Sequence, residues 1–449
     1  MYKRAASLKI DLPQGRHCRE KKMKSFLCVI ASIVLAGVCA SPASHDGDPS
    51  GLTKEHMDHL HHDKDHPHPH NLAEDKPVSA LASHNADFAF ALYKQLSSQE
   101  DTQAKNIFFS PLSISSALSM VALGAKGATH QELFKTLGYS EIVPADVNDA
   151  YEHIFHSLGH SQSALQLDTG NAMVLQEKFK PKHKFVEDAK HYFDAEGFTV
   201  DFNMPDEAAK NINQYIAKKT HDKITDMISD LDKNTVMMLI NYIYFRGKWE
   251  KPFEASLTEK ADFHVDETTK VSVDMMKRTG RYDYYYDITN KTTVLMIPYQ
   301  GNASMMVVLP DEGQMKKVES VINKDYIKHW HDSLFRSNVE LSIPKFSASV
   351  SYTLTDTLKE MGLVSVFDDE ADLSGISEEV GLKVSKVAHK AVLSVDEKGT
   401  EAAGVTTVEI MPMSTPDAVH INRPFFIFIL EESTKSILFM GKITDPTAQ

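Results

Sequence analysis

The chain reads as a single α+β domain behind an atypical N-terminal stretch, and three observations predict this. Helical periodicity dominates the first half of residues 81–449, strand-like apolar runs dominate the second, and no linker divides them. A length of 449 residues would by itself allow about three domains, so the missing linker decides. Composition agrees, because 42% hydrophobic and 24% charged residues suit a soluble fold with a large core.

The helices come first. Phe88, Leu92 and Leu96, with Ala89 and Tyr93, recur at helical spacing. Ser110-Pro111 caps a helix through Ser113, Ala117, Met120 and Leu123 that stops near Gly124 and Gly127. Further helices are expected over Val147–Gly159, Pro181–Tyr192 and Asp206–Thr220. Strands are expected over Val236–Arg246 and Thr293–Pro298, and over Ser304–Leu309 after the Gly301-Asn302 turn. Val339–Ile343, Ala388–Val395, Phe425–Leu430 and Ile437–Gly441 complete the strand set, and no repeat is found. Two glycosylation sequons, Asn290-Lys291-Thr292 and Asn302-Ala303-Ser304, fall at predicted turns where a glycan would face solvent.

The N-terminal stretch divides into residues 1–40 and 41–80. Met23-Lys24-Ser25, an apolar run from Phe26 to Val38, and Val38-Cys39-Ala40 before Ser41 have the order of a signal peptide cleaved after Ala40. Met1 and Met23 are both possible starts. A membrane anchor is disfavoured, since the run is short and no other apolar span supports it. Cys18, Cys28 and Cys39 all precede the cut, so the mature chain would carry no disulfide, thiol chemistry or cysteine-based zinc site.

Residues 41–80 are rich in His, Asp and Pro and poor in large apolar side chains, a composition that reads as disordered. His45, His56, His59, His61, His62, His66, His68 and His70 crowd this segment. Two readings stay open: a solvated tail without a dedicated ligand, or a tract that holds zinc or copper.

Several function classes are disfavoured. The formal net charge of −14 argues against nucleic acid, whose phosphates need a basic face. The chain lacks a G-x-S-x-G elbow, an H-E-x-x-H pair, a Walker loop and a dinucleotide fingerprint, so no enzyme activity and no cofactor are expected. The helical pair His153 and His156 reads as surface.

The informative segment is Glu397 to Pro416. At period two, Thr400, Ala402, Gly404, Thr406, Val408 and Ile410 share one face, and Glu401, Ala403, Val405, Thr407 and Glu409 the other. No proline interrupts it before Pro412, yet Gly399 and Ala402-Ala403-Gly404 leave it pliable. A segment strand-like in pattern and loop-like in composition can exist in two states, although an ordinary edge strand would share the pattern.

Five blocks then resemble the serpin family, and within it the alpha-1-antitrypsin-like group, over residues 83–449. They are Asn106-Ile-Phe-Phe-Ser-Pro-Leu-Ser; Asn241-Tyr-Ile-Tyr-Phe-Arg-Gly-Lys-Trp249-Glu-Lys-Pro-Phe253; and Val308-Leu-Pro-Asp-Glu-Gly313. The last two are His389 to Gly404, and Asn422-Arg-Pro-Phe-Phe426 through Phe439-Met-Gly-Lys442. The His-rich preface lies outside the resemblance.

The resemblance implies a serpin fold with three β-sheets, eight or nine helices and an exposed reactive-centre loop. It implies a monomeric, secreted protease inhibitor that acts by suicide-substrate trapping. In that family a protease cleaves a bait bond, and the freed loop enters a sheet as a new strand before the acyl-enzyme is hydrolysed. Small residues must enter first, and Thr400, Ala402, Ala403 and Gly404 after Glu397 and Gly399 meet that need. Ungapped counting puts the bait bond at Met413–Ser414, with Met411 as the fallback. An unbranched apolar methionine suits elastase-like and chymotrypsin-like serine proteases and serves trypsin-like ones poorly.

Matching residue by residue, Ser110, Ser113, Asn241 and His389 would form a polar cluster where the sheet opens. Lys345 and Glu397 would brace its top, and Trp249 reads as a core aromatic. Heparin activation is not expected, because Val147–Gly159 carries no Lys or Arg. The alternatives are a non-inhibitory serpin carrying a small hydrophobic hormone, and metal binding by the tail.

Overall fold

Residues 76–99, 102, 105–160, 165–378, 381–398 and 415–448 are described by the structure, a computed structural model. Helix α1 (Lys76–Ser98) opens it. Pro77 sits in the first turn, where a missing N–H costs nothing, and Val78, Leu81, Leu92 and Leu96 bury one face. Residues 76–80 are thus helical, which corrects the boundary expected at 81: Val78, in a stretch read as tail, is fully buried.

Helices outnumber and interleave with strands as far as α6. The order is β1 (Ile107–Phe109), α2 (Pro111–Gly124), α3 (Gly127–Thr136), α4 (Pro144–His160), β2 (Leu165–Gln176), α5 (His183–Phe193), β3 (Glu196–Val200) and α6 (Pro205–Lys219). Strands then dominate: β4 (Met237–Gly247), β5 (Glu259–His264), β6 (Lys270–Asp287), β7 (Thr292–Pro298) and β8 (Ala303–Pro310). Helices α7 (Met315–Val321) and α8 (Lys324–Ser333) lead to β9 (Phe335–Pro344), β10 (Phe346–Thr353) and α9 (Thr355–Glu360). The chain closes with β11 (Lys386–Val395), β12 (Asp417–His420), β13 (Phe425–Glu431) and β14 (Ser436–Ile443). Strands β1, β2, β3, β5, β6, β10 and β12 and helices α3, α7, α8 and α9 escaped the sequence reading, β2 and β6 being the longest of them. Asp168, Gly170 and Asn171 interrupt the apolar pattern of β2, and charged and tyrosine side chains fill β6.

The strands form two hydrogen-bonded sheets among the described residues. One runs β10-β11-β4-β2-β3; the other runs β1-β14-β13-β8-β7-β6-β9-β12, with β5 also on β6. Three sheets were expected, and β6 accounts for the difference. Its 18 residues pair with β9 from Met275↔Pro344 to Tyr284↔Phe335 and with β7 from Asp283↔Met296 onward, so one long strand joins two halves. In the five-stranded sheet β4 and β11 are parallel neighbours, while their outer partners β2 and β10 are antiparallel to them.

Helix α2 is buried nearly all round, serines included, and packs against β2 and β4 of the five-stranded sheet and against β14 of the other. Ala208, Ala209, Ile212 and Ile216 of α6 pack in a second apolar cluster with Val174, Met238, Ile240 and Tyr242 of the sheet. At the far end of α2 the backbone of Gly124 touches that of Gly375. A Cβ on Gly375 would lie 2.6 Å from the Gly124 carbonyl oxygen, so only glycine fits.

Candidate functional site

The segment singled out in the sequence leaves the end of β11 in one sheet and re-enters as β12 in the other. Gly399, Thr400, Ala402, Ala403, Gly404, Met413 and Ser414 lie outside the described residues, as do the signal segment and His56, His59, His61, His62, His66, His68 and His70. The base of the segment, Asp396-Glu397-Lys398, is described and tightly held.

Four side chains and one backbone amide converge on that base. Arg246 at the end of β4 pairs with Asp396, Nη2 to Oδ2 at 2.7 Å, and Trp249 Nε1 donates to the Asp396 carbonyl at 2.8 Å. Trp249 is buried and stacks on Tyr299 with ring centroids 4.3 Å apart, so the indole is a fixed donor. Lys345 Nζ lies 2.9 Å from Glu397 Oε2, and Thr258 Oγ1 donates to Oε1 at 3.0 Å. Phe253 supplies its backbone N–H to the Glu397 carbonyl at 2.9 Å. Burial alone would raise the Glu397 pKa, but the hydrogen bonds from Lys345 and Thr258 prevail and hold it below the usual carboxylate range. The same contact raises the Lys345 pKa.

Beneath the β4–β11 pair lies a buried polar cluster. Asn241 and His389 are direct partners in the parallel register. Ser110 caps α2: its Oγ accepts the Ser113 N–H at 3.2 Å, and Pro111 follows at the first helical position. The Ser110 N–H in turn donates to His389 Nε2 at 3.1 Å. With Nε2 accepting, the proton of the neutral ring sits on Nδ1 and is donated to Asn241 Oδ1. Asn241 Nδ2 faces the Ser113 carbonyl at 3.0 Å, the Ser113 hydroxyl, and Asn171 Oδ1 at 2.7 Å. Asn171 passes the network to Ser116 at 2.9 Å. Desolvation lowers the His389 pKa to about 3, so the ring stays neutral. Asn171 and Ser116 were not singled out in the sequence; only their places on β2 and α2 beside Asn241 identify them.

The sequons fare differently. Asn302 is half-buried at its turn, with Nδ2 donating to Glu431 Oε1 at 2.7 Å. Asn290 departs from the solvent-facing expectation and is corrected. It is 4% exposed, its Nδ2 donates to Asp287 Oδ2 at 2.7 Å, and Trp330 Nε1 shares that carboxylate at 2.9 Å. The Nδ2 that would carry a glycan is instead engaged inside the fold by Asp287.

A separate cavity of about 440 Å³ opens between α1, α8 and the β13–β14 hairpin, lined by Ala82, Ala86, Ile327, His331, Leu430 and Ile437. Among the described residues no helix is long and apolar enough to cross a membrane.

Two parallel strands above a removable polar cluster, with a clamped segment leaving one of them, are the parts a strand-accepting sheet needs. The family model for serpin (serine protease inhibitor) matches residues 83–446. An alpha-1-antitrypsin homolog of Cyprinus carpio is 56% identical over 340 residues, 76% of this chain and 91% of that protein. Alpha-1-antiproteinase 2 of Equus caballus is 43% identical over 418 residues, 92% of this chain and 97% of that protein. Human thyroxine-binding globulin complexed with thyroxine superposes with a TM-score of 0.78 at 40% identity, covering 83% of this chain and all of that one. Human glycosylated kallistatin gives 0.78 at 38%, with the same coverage. The chain belongs to the serpin family of serine protease inhibitors.

Proposed function

We propose that this serpin is a secreted inhibitor that traps elastase-like or chymotrypsin-like serine proteases through cleavage at Met413–Ser414. The parallel pairing of β4 with β11 is the observation that supports it best. A segment that leaves the end of β11 and folds back runs antiparallel to β11, and therefore to β4 as well. Inserted between them, it exchanges one parallel ladder for two antiparallel ones, which are slightly more favourable per residue. The middle of this seam rests on hydrogen bonds among Ser113, Asn171, Asn241 and His389, flanked on the same face by core side chains such as Leu239, Ile243, Val387 and Ala391. Thr400, Ala402 and Gly404 are small enough to enter first, and Met413 fits an apolar specificity pocket. Secretion follows from the signal-like residues 23–40.

The test mixes the purified mature chain with elastase and, separately, with chymotrypsin. A complex that survives boiling, with a released peptide beginning at Ser414, is the expected result. Clean cleavage without a complex for both enzymes would remove trapping. Oxidation of Met413 turns its thioether into a polar sulfoxide, so peroxide treatment should slow elastase inhibition. An unchanged rate after verified oxidation would remove Met413 from the bait position.

A second reading is carriage of a small hydrophobic hormone, favoured by the cavity of about 440 Å³ beside α1 and α8. Equilibrium dialysis against thyroxine tests it; no retention at micromolar ligand would remove it.

A further inference from the structure

We propose that the aromatic start of β9 is a docking surface for the protease that attacks the bait bond, separate from the bait segment itself. The inference rests on the trapping reading above and names a second contact for the same partner.

Register places the surface. Strand β12 runs parallel to β9 from Asp417↔Val339 to His420↔Ser342. Strand β9 starts earlier, at Phe335, so Phe335–Asn338 project past the start of β12 on the side from which the chain arrives at Thr415. At about 3.3 Å per residue, Phe335 stands about 13 Å beyond the level of Asp417. Ser337 Oγ donates to Asp417 Oδ2 at 2.8 Å and ties this projecting edge to the end of the segment. The bond Met413–Ser414 ends one residue before Thr415 in the sequence. A protease that attacks that bond works within two residues of the described Thr415, next to this edge in sequence and register.

Chemistry agrees with placement. Phe335 is 56% exposed and is the one aromatic among the exposed large apolar side chains of the described residues. It faces its cross-strand partner Tyr284 edge-on, with centroids 6.0 Å apart at 87°. The next cross-strand pair, Asp283 and Arg336, forms an exposed ion pair at 3.3 Å. An aromatic centre beside a charged rim is the composition of an energetically dominant interface patch. Tyr284 sits between ladders to β7 and β9, and Phe335 is paired to it across the β6–β9 ladder, so little backbone entropy is lost on contact. The partner surface is an apolar loop of the protease flanking its cleft on the leaving-group side.

The test compares Phe335→Ala, Phe335→Tyr, Tyr284→Ala and Ile288→Ala in the full chain. Ile288 is 79% exposed at the end of β6 and controls for the loss of any exposed apolar group. Association rates and inhibition stoichiometry are measured with elastase and chymotrypsin, and docking without trapping is measured with a protease whose catalytic serine is replaced by alanine. Phe335→Ala should slow association about tenfold with at least one enzyme and weaken docking to the inactive protease by a similar factor. Phe335→Tyr and Ile288→Ala should keep the rate, and stoichiometry should not change. An unchanged rate and affinity for Phe335→Ala and Tyr284→Ala, with trapping intact, would overturn the docking surface alone. A loss shared equally by Ile288→Ala would overturn it as well. No complex with the unsubstituted chain would overturn both this inference and the reading it rests on.

Discussion

The two sheets of this molecule are held together in opposite ways. In the nine-stranded sheet β13 is antiparallel to β8 and β14, and Phe425, Phe426, Ile427, Phe428 and Ile429 are all fully buried. In the five-stranded sheet the central β4–β11 pair is parallel, and its core face is interrupted between Leu239 and Ile243 by the polar group Ser113, Asn171, Asn241 and His389. Opening the first means tearing apolar side chains from close-packed neighbours, which nothing in water replaces. Opening the second between β4 and β11 breaks a backbone ladder that an arriving strand can remake, together with a local side-chain cluster. The difference teaches why the proposed insertion would use the β4–β11 seam: its ladder is parallel and its core face holds a polar group, whereas β13 lies between two antiparallel ladders and is buried throughout.

The largest expected effect tests the frame. Phe428→Ala, which deletes a fully buried ring packed near Phe90, should cost about 3–5 kcal/mol of unfolding free energy in denaturant titration. It should not selectively speed strand insertion. If that variant inserted an added loop peptide faster than it lost stability, the contrast between the sheets would break.

Asn241→Ala comes next. It leaves the His389 Nδ1–H and the Asn171 carbonyl oxygen without their partner in a buried site, a loss of about 2–3 kcal/mol. Here the loss should appear as faster peptide insertion and self-association on mild heating. Unfolding without either change would make Asn241 part of the rigid frame.

His389 gives the contrast a pH signature. Its folded pKa of about 3 lies below the unfolded value near 6.5, so the unfolded chain binds the extra proton between those limits. Stability attributable to this ring is therefore complete above about pH 6.5 and falls as pH drops through that window, by about 2 kcal/mol between pH 7 and pH 5. His389→Gln should flatten the dependence; an unchanged pH profile of the unfolding midpoint would show that the seam does not sense this proton.

The smallest effect on stability belongs to the clamp at the top. Lys345 is 45% exposed, so its pair with Glu397 contributes about 1 kcal/mol or less. Glu397→Lys replaces attraction with repulsion at the point where the segment leaves β11, and should raise the yield of polymers far more than it lowers the midpoint. Secretion as monomer alone, from cells expressing the variant, would count against a gating role.

Much of this was legible in the chain because it is local. Ser110-Pro111 marks a helix start through one side chain and one missing N–H, and Phe425–Leu430 declares a buried strand by composition. Both signals lie within a few residues and need no partner. Strand β6 was not legible for the converse reason: its tyrosines and charges make sense only against β9 on one half and β7 on the other. The N-terminal boundary failed by five residues, since Val78 looks like tail until Leu81 and Leu92 are seen on the same face.

The sequence by itself determined the fold class, the strongly periodic helices and apolar strands such as Phe425–Leu430, and the membership blocks, because periodicity and side-chain chemistry act between near neighbours. Only the tertiary structure decided that Asn241 and His389, 148 positions apart, share one hydrogen bond, and that Ser110 fixes the ring's tautomer. It also decided that Asn290 lies under Trp330 and Asp287 instead of in solvent. Strand register and burial depend on which distant segment packs opposite, and that is a property of the assembled fold and not of any stretch of chain.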